Sequence, residues 1–222
     1  ASTSVTTPSI NGAISVRASG SWATVSSLTQ AHTPDAGTTK LLILVPFRAA
    51  NANRTVTLTW NGVAATEILD FQQTSRPGIA AYTVDAPTTG VSQDAVATFS
   101  GNVTGSAIVV VSLKDAGDIR LVASTGANTG TTLTPSGSIE ATGSLALALG
   151  NWTNNGNNSG ETNFTFPAGW TELLERGDNA SDGNHFGLAQ LTDPAAAGAL
   201  SCLITGSIST YCTAALFEVK PA

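Results

Sequence analysis

Hydrophobic positions along this chain come in short runs, each cut off by Gly, Pro, Asn, Asp or Ser, with no stretch at helical spacing. The pattern predicts strands over Ile14 to Ala18, Trp22 to Leu28, Leu41 to Phe47, Thr55 to Trp60, Ala64 to Phe71 and Ile79 to Val84. It continues with Ala95 to Phe99, Ala107 to Leu113, Ile119 to Ala123 and Leu145 to Leu149. Thr171 to Glu175, Phe186 to Leu191, Leu200 to Ile204 and Thr210 to Val219 complete the series. Val56, Leu58 and Trp60 alternate onto one face ahead of Asn61-Gly62, which supplies the positive φ angles of a type I′ hairpin. Many short strands with such turns predict an all-β, antiparallel β-sandwich of jelly-roll-like form.

The series repeats. Leu41 to Val45 corresponds to Leu145 to Leu149, and Thr66-Glu67-Ile68-Leu69 to Thr171-Glu172-Leu173-Leu174. Ile79 to Pro87 corresponds to Phe186 to Pro194, and Val110-Val111-Ser112-Leu113-Lys114 to Leu216-Phe217-Glu218-Val219-Lys220. The pairs keep their order at an offset of about 105 residues, the mark of an internal duplication. The expected organisation is an N-terminal arm over 1–11, then one domain over 12–222. Its pseudo-repeats, about 41–114 and 145–220, are two duplicated halves sharing one core.

Composition narrows the function classes. Only 11% of the 222 residues are charged, and 9 Lys plus Arg stand against 15 Asp plus Glu. That balance is too poor in cations to neutralise many phosphates, so no nucleic-acid partner is expected. No apolar run approaches the roughly 18 residues of a membrane span, so no membrane insertion is expected either. Ala1 is expected to follow either a removed initiator methionine or a removed signal peptide; the N-terminal residues fit both. Cys202 and Cys212 flank Thr205-Gly206-Ser207, where a hairpin would let them form a disulfide; two reduced core thiols fit the spacing equally.

The motif order LLILV (41–45), VTLTWNGVAATEI (56–68), IAAYTVDAP (79–87) and AIVVVSLKDAG (107–117) resembles a β-sandwich (jelly-roll-like) domain. Such domains occur in secreted bacterial proteins and in structural proteins of tailed phages. SLALALGNW (144–152), AGWTELLE (168–175) and AALFEVKPA (214–222) continue the same template. The resemblance implies fold first and carries no catalytic residues. It implies modules of adhesins and carbohydrate-active enzymes, or virion surface proteins.

The candidate chemistry is sparse. His32 and His185 are the only histidines, and no serine sits in a GxSxG elbow; Asp70, Asp85, Glu172 and Glu175 leave a carboxylate pair geometrically open, although such acids more often are solvated strand ends. No catalytic residue and no cofactor are expected. Asp178, Asp182 and Asn184 offer oxygen ligands that calcium would accept, although the same residues make ordinary turns. The amide-rich segment with Asn151, Trp152, Asn154, Asn155, Asn157 and Asn158 is the glycan-contact candidate. Amides bond sugar hydroxyls both ways, and an exposed indole stacks on a pyranose. The alternative is that Trp152 ends its strand and plugs the core.

The expected role is a non-enzymatic virion structural protein of a phage or phage-like particle: a head decoration, head spike or tail-associated protein. Its partners would be capsid or tail proteins, or itself as a homo-oligomer, and it would contact host polysaccharide at the virion surface. The alternative is a secreted or cell-surface carbohydrate-binding module or adhesin.

Overall fold

A computed structural model describes residues 6–19, 24–49, 52–73, 76–153, 163–176, 184–193 and 195–222. Among them there is no helix. The first half holds β1 (Ser9–Ile10), β2 (Ser15–Ala18), β3 (Val25–His32), β4 (Thr38–Arg48), β5 (Val56–Trp60), β6 (Val63–Ala64), β7 (Thr66–Gln72), β8 (Pro77–Asp85), β9 (Gln93–Val103) and β10 (Gly105–Lys114). The second holds β11 (Ala116–Leu133), β12 (Ser136–Ile139), β13 (Leu145–Thr153), β14 (Phe164–Thr165), β15 (Trp170–Arg176), β16 (Asn184–Leu191), β17 (Gly198–Ser201) and β18 (Ile204–Pro221). The strand pairings are antiparallel throughout. The β5–β6 hairpin turns where the sequence predicts it, with Asn61 and Gly62 at φ of 49° and 79°.

The sheets stack as four layers. One inner sheet runs β1-β10-β4-β8-β7, with β2 also on β10, and is backed by the outer sheet β3-β9-β5-β6. The other inner sheet runs β11-β18-β13-β16-β15, with β14 also on β18, and is backed by the pair β12-β17. Alternation along the inner strands sorts their side chains. Leu42 and Leu44 of β4 join Leu147 and Leu149 of β13 in the core shared by the halves. Leu41, Ile43 and Val45 point the other way, onto Leu58, Trp60 and Ala97 of the outer sheet. In the second half Ala146 meets Ile139 of β12, while Ala148 and Leu216 cluster with Leu133. The fold is of the expected all-β, antiparallel sandwich type with a core shared by the two halves; beyond that expectation, each inner sheet is backed by a further layer of its own.

The halves match in detail. β10, β4, β8 and β7 hold the places that β18, β13, β16 and β15 hold in the other sheet. Both edge strands bulge at the same step of the repeated motif, between Glu67 and Leu69 and between Glu172 and Leu174. Gly37 and Gly143 both take φ of 86°, a conformation that favours glycine. Beside them Thr38 Oγ1 donates to the Asp35 carbonyl at 2.8 Å, and Ser144 Oγ lies 2.7 Å from the Ala141 carbonyl oxygen. Asp70 accepts from Val56 N–H at 3.1 Å, and Glu175 from Phe164 N–H at 3.2 Å. Across the shared core β18 and β13 lie over β8, β16 over β4 and β11 over β7. This reversed order relates the halves by an approximate two-fold axis.

Three sequence expectations change. Ser9 and Ile10 pair with Lys114 and Leu113, so the expected arm is tied to the sheet from Ser9 onward. The short strand expected at Ile119 to Ala123 is part of the long β11, which runs on through Gly126 and Gly130. No hairpin forms about Thr205-Gly206-Ser207: Thr205 pairs with Thr132 and Gly206 with Phe164, both from within β18.

That last change removes the geometry for a cross-hairpin disulfide. Cys202 and Cys212 are both free and buried, and burial pushes their thiols up to about 12 and about 11. An aromatic disulfide reagent is therefore expected to leave the native protein almost unlabelled and to titrate both thiols in denaturant. No titratable thiol after denaturation without reductant would mean a bridge.

Candidate functional site

The strands that flank the candidate loops all finish at one end of the molecule. Thr153, ending β13, pairs with Asn184, starting β16, and Arg48, ending β4, pairs with Pro77, starting β8. The Asn151 amide joins these two sheet ends, donating to the carbonyls of Gly78 at 2.8 Å and Phe47 at 3.2 Å. Arg76 lies over the Tyr211 ring at 4.2 Å, and Gln73 Nε2 donates to Asn128 Oδ1 at 3.3 Å, again between the halves. The β4–β5 and β7–β8 connections of the first half thus leave from the same end as the β13–β14 and β15–β16 connections of the second.

The structure separates the glycan candidates. Asn151 and Trp152 are fully buried, so neither reaches a ligand at the surface. Asn151 locks the inner sheets together, and the Trp152 indole packs edge-on to Phe164 with ring centroids 5.2 Å apart. The expectation of an exposed indole fails because β13 is buried on both faces and Trp152 points outward into the second sandwich. Asn154, Asn155, Asn157 and Asn158 lie outside the described residues. So do the calcium candidates Asp178 and Asp182. Asn184 is not a loop residue: it opens β16, is buried, and faces Gly105, where an added Cβ would lie 3.1 Å from its own. Among the described residues no three His, Cys, Asp or Glu side chains gather as a metal site.

The histidines are interior too. His32 ties the sheets of the first sandwich, with Nδ1 2.7 Å from Ser15 Oγ and Nε2 2.8 Å from Ser112 Oγ. Burial lowers its pKa, and the charge of Asp35 opposes that shift. Ser112 is itself buried, so this hydroxyl–imidazole pair has no access to a substrate. His185 is fully buried within β16.

What the described part of the loop-bearing end does expose is a polar groove of about 280 Å³. Asn53, Arg54 and Thr55 approach it ahead of β5, Asp70 and Gln72 come from β7, and Ser100 comes from β9. The sequence marks Asp70 chiefly as a strand end and gives no sign of Arg54, because neither sits in a motif and the groove forms only when the two sheets meet. Arg54 Nε donates to the Asn102 carbonyl at 3.2 Å and Nη1 to that of Asn53 at 3.1 Å. Its backbone N–H donates to Gln72 Oε1 at 2.7 Å, while Gln72 Nε2 is held by the carbonyls of Ala52 and Arg76. Burial pushes the Asp70 carboxyl above its ordinary range, the Val56 N–H pulls it back, and the charge of Glu67 adds to the rise. A larger cleft of about 530 Å³ opens between β2 and β3, lined mainly by small side chains with Arg17 and Asp94 among them.

No protein-family model matches the chain, and no curated protein matches it. A solved structure described as an anti-sigma factor domain-containing protein aligns over 83% of this chain and 77% of its own, at 7% identity. Its TM-score of 0.25 is too low to carry either fold or function, and the fold of this chain stands on its own strand pairings as an all-β, antiparallel sandwich.

Proposed function

We propose that the chain is a non-enzymatic structural protein of a phage or phage-like particle, displayed on the virion as a head decoration, head spike or tail-associated protein. In this reading its loop-bearing end meets glycans on the host surface. The observation that carries it is that the strands flanking four connections, two from each half, end on one side of a four-layer body. Rigid sheets that present loops on one side are the usual construction of a binding surface. The sparse charge and abundant Ser, Thr and Asn suit a chain packed in many copies, and the family resemblance of the motifs supports the same setting.

A bacterial carbohydrate-binding module or adhesin would use the same end, and differs in what carries the protein. Immunogold electron microscopy of the source culture, with antibody against this chain, separates the two. Regular label on particle heads or tails is the expected result. Label confined to cell envelopes, with bare particles, would overturn the virion reading in favour of the adhesin.

A further inference from the structure

We infer that the groove between β5 and β7 is a saccharide subsite in which the Arg54 guanidinium and the Asp70 carboxylate take hydroxyls of a neutral hexose. The inference rests on the proposed glycan contact and assigns it to residues. Its first support is the way Arg54 is held. A surface arginine ordinarily samples many rotamers, yet here two backbone carbonyls fix the guanidinium and Gln72 fixes the backbone behind it. The guanidinium lies close against Gly101: an added Cβ there would lie 2.9 Å from Arg54 Nε, so a larger residue would push the fork from its present place. Nη2 of this planar group is not used by either carbonyl. A preorganised donor of this kind loses less entropy on binding than a mobile one.

The second support is the opposite charge in the same groove. Asp70 is fixed by Val56 N–H through Oδ2. An anionic ligand would meet that carboxylate, and a cationic one would meet Arg54. A hydroxyl is both donor and acceptor, so neighbouring sugar hydroxyls can accept from the guanidinium and donate to the carboxylate with no charge on the ligand. The hydroxyls of Thr55 and Ser100 on the groove wall extend the same chemistry. Among the described residues no aromatic ring lines this groove, so one subsite is expected to bind at millimolar strength, with many displayed copies supplying avidity.

The test is a titration of the whole chain, labelled with nitrogen-15, against methyl glucoside, methyl galactoside and methyl mannoside. At least one is expected to shift the Arg54 Nε–H and Ser100 amide signals saturably. Arg54→Lys keeps the charge and loses the tethered fork, while Asp70→Asn keeps an acceptor for Val56 and loses the charge. Each is expected to weaken binding about tenfold, the effect of about one charge-assisted hydrogen bond, without disturbing the remaining spectrum. Absence of any saturable shift, or wild-type affinity in both variants, would overturn the subsite. Capture of the wild-type chain on host polysaccharide keeps the two readings apart. Capture that survives both substitutions sinks this subsite and leaves the glycan contact standing elsewhere at the loop-bearing end. No capture of any form would remove the glycan contact itself.

Discussion

Replacing Trp152 with alanine is expected to destabilise the protein by about 3–5 kcal/mol, the usual cost of deleting a buried aromatic side chain. The indole is fully buried, and its surroundings are shaped to it. Added Cβ atoms at Gly150 and Gly206 would lie 2.7 Å from its ring, and one at Gly187 would lie 2.8 Å from the ring of Phe164, its edge-on neighbour. These glycines leave room that only a large side chain fills, and β13 has little freedom to collapse because it pairs with β16 on one side and β18 on the other. Urea unfolding of wild type, Trp152→Phe and Trp152→Ala should give three midpoints in descending order. An unchanged midpoint for Trp152→Ala would mean that the indole is not in the core.

The second large effect is expected at Glu218. Its carboxylate is fully buried, 2.6 Å from Arg120 Nε. It accepts from the N–H groups of Glu140 and Ala141, at 3.1 and 2.9 Å to Oε1, and from Ser144 Oγ at 2.8 Å. Burial alone would raise this carboxyl; the donors from Ala141, Glu140, Ser144 and Arg120 together outweigh it and hold the group below the ordinary carboxylate range. Glu218→Ala leaves those donors without their acceptor and is expected to cost about 3–5 kcal/mol. The pH dependence follows from the direction of the shift. A depressed carboxyl stabilises the fold above its unfolded value, and that contribution disappears as the pH falls through the folded value. His32, also lowered, acts at higher pH: below about 6.5 the unfolded chain takes up a proton that the buried imidazole resists. Wild-type stability should therefore decline first below neutrality and again in the acid range. In Glu218→Ala the second decline should shrink while the first persists. Parallel losses in both proteins would contradict the assignment.

The repeat is legible in the sequence because it rests on strand-length apolar runs and a bulged edge motif, both of which survive as local sequence. The long run from Leu41 to Phe47 also carries a signal that simple alternation hides: its residues are buried on both faces, as an interior layer requires. The outer pair β12 and β17 is less legible, since Ser136 to Ile139 and Gly198 to Ser201 offer few large side chains and are specified by pairing with each other. For β11 and β18, glycine and threonine through the middle of each strand read as turns, whereas long-range pairing keeps them extended. The loop-bearing end is half legible. Its amide-rich character shows in the sequence, but the burial of Asn151 and Trp152 follows from a second sheet on each side of β13. The Arg54 groove needs three separated strands to exist at all.

The approximate two-fold between the halves has a consequence for fragments. A chain cut after Lys114 would keep its outer sheet yet lay bare Leu42, Leu44, Val109 and Val111, which the second half covers in the intact protein. Because the covering face is a repeat of the covered one, another copy of the same fragment is the nearest substitute for the missing half. The linkage near Asp115 and Ala116 thus converts what would be a homodimer of sandwiches into one molecule. Joined in this way, the partners cannot be lost by dilution, and the two halves are free to diverge.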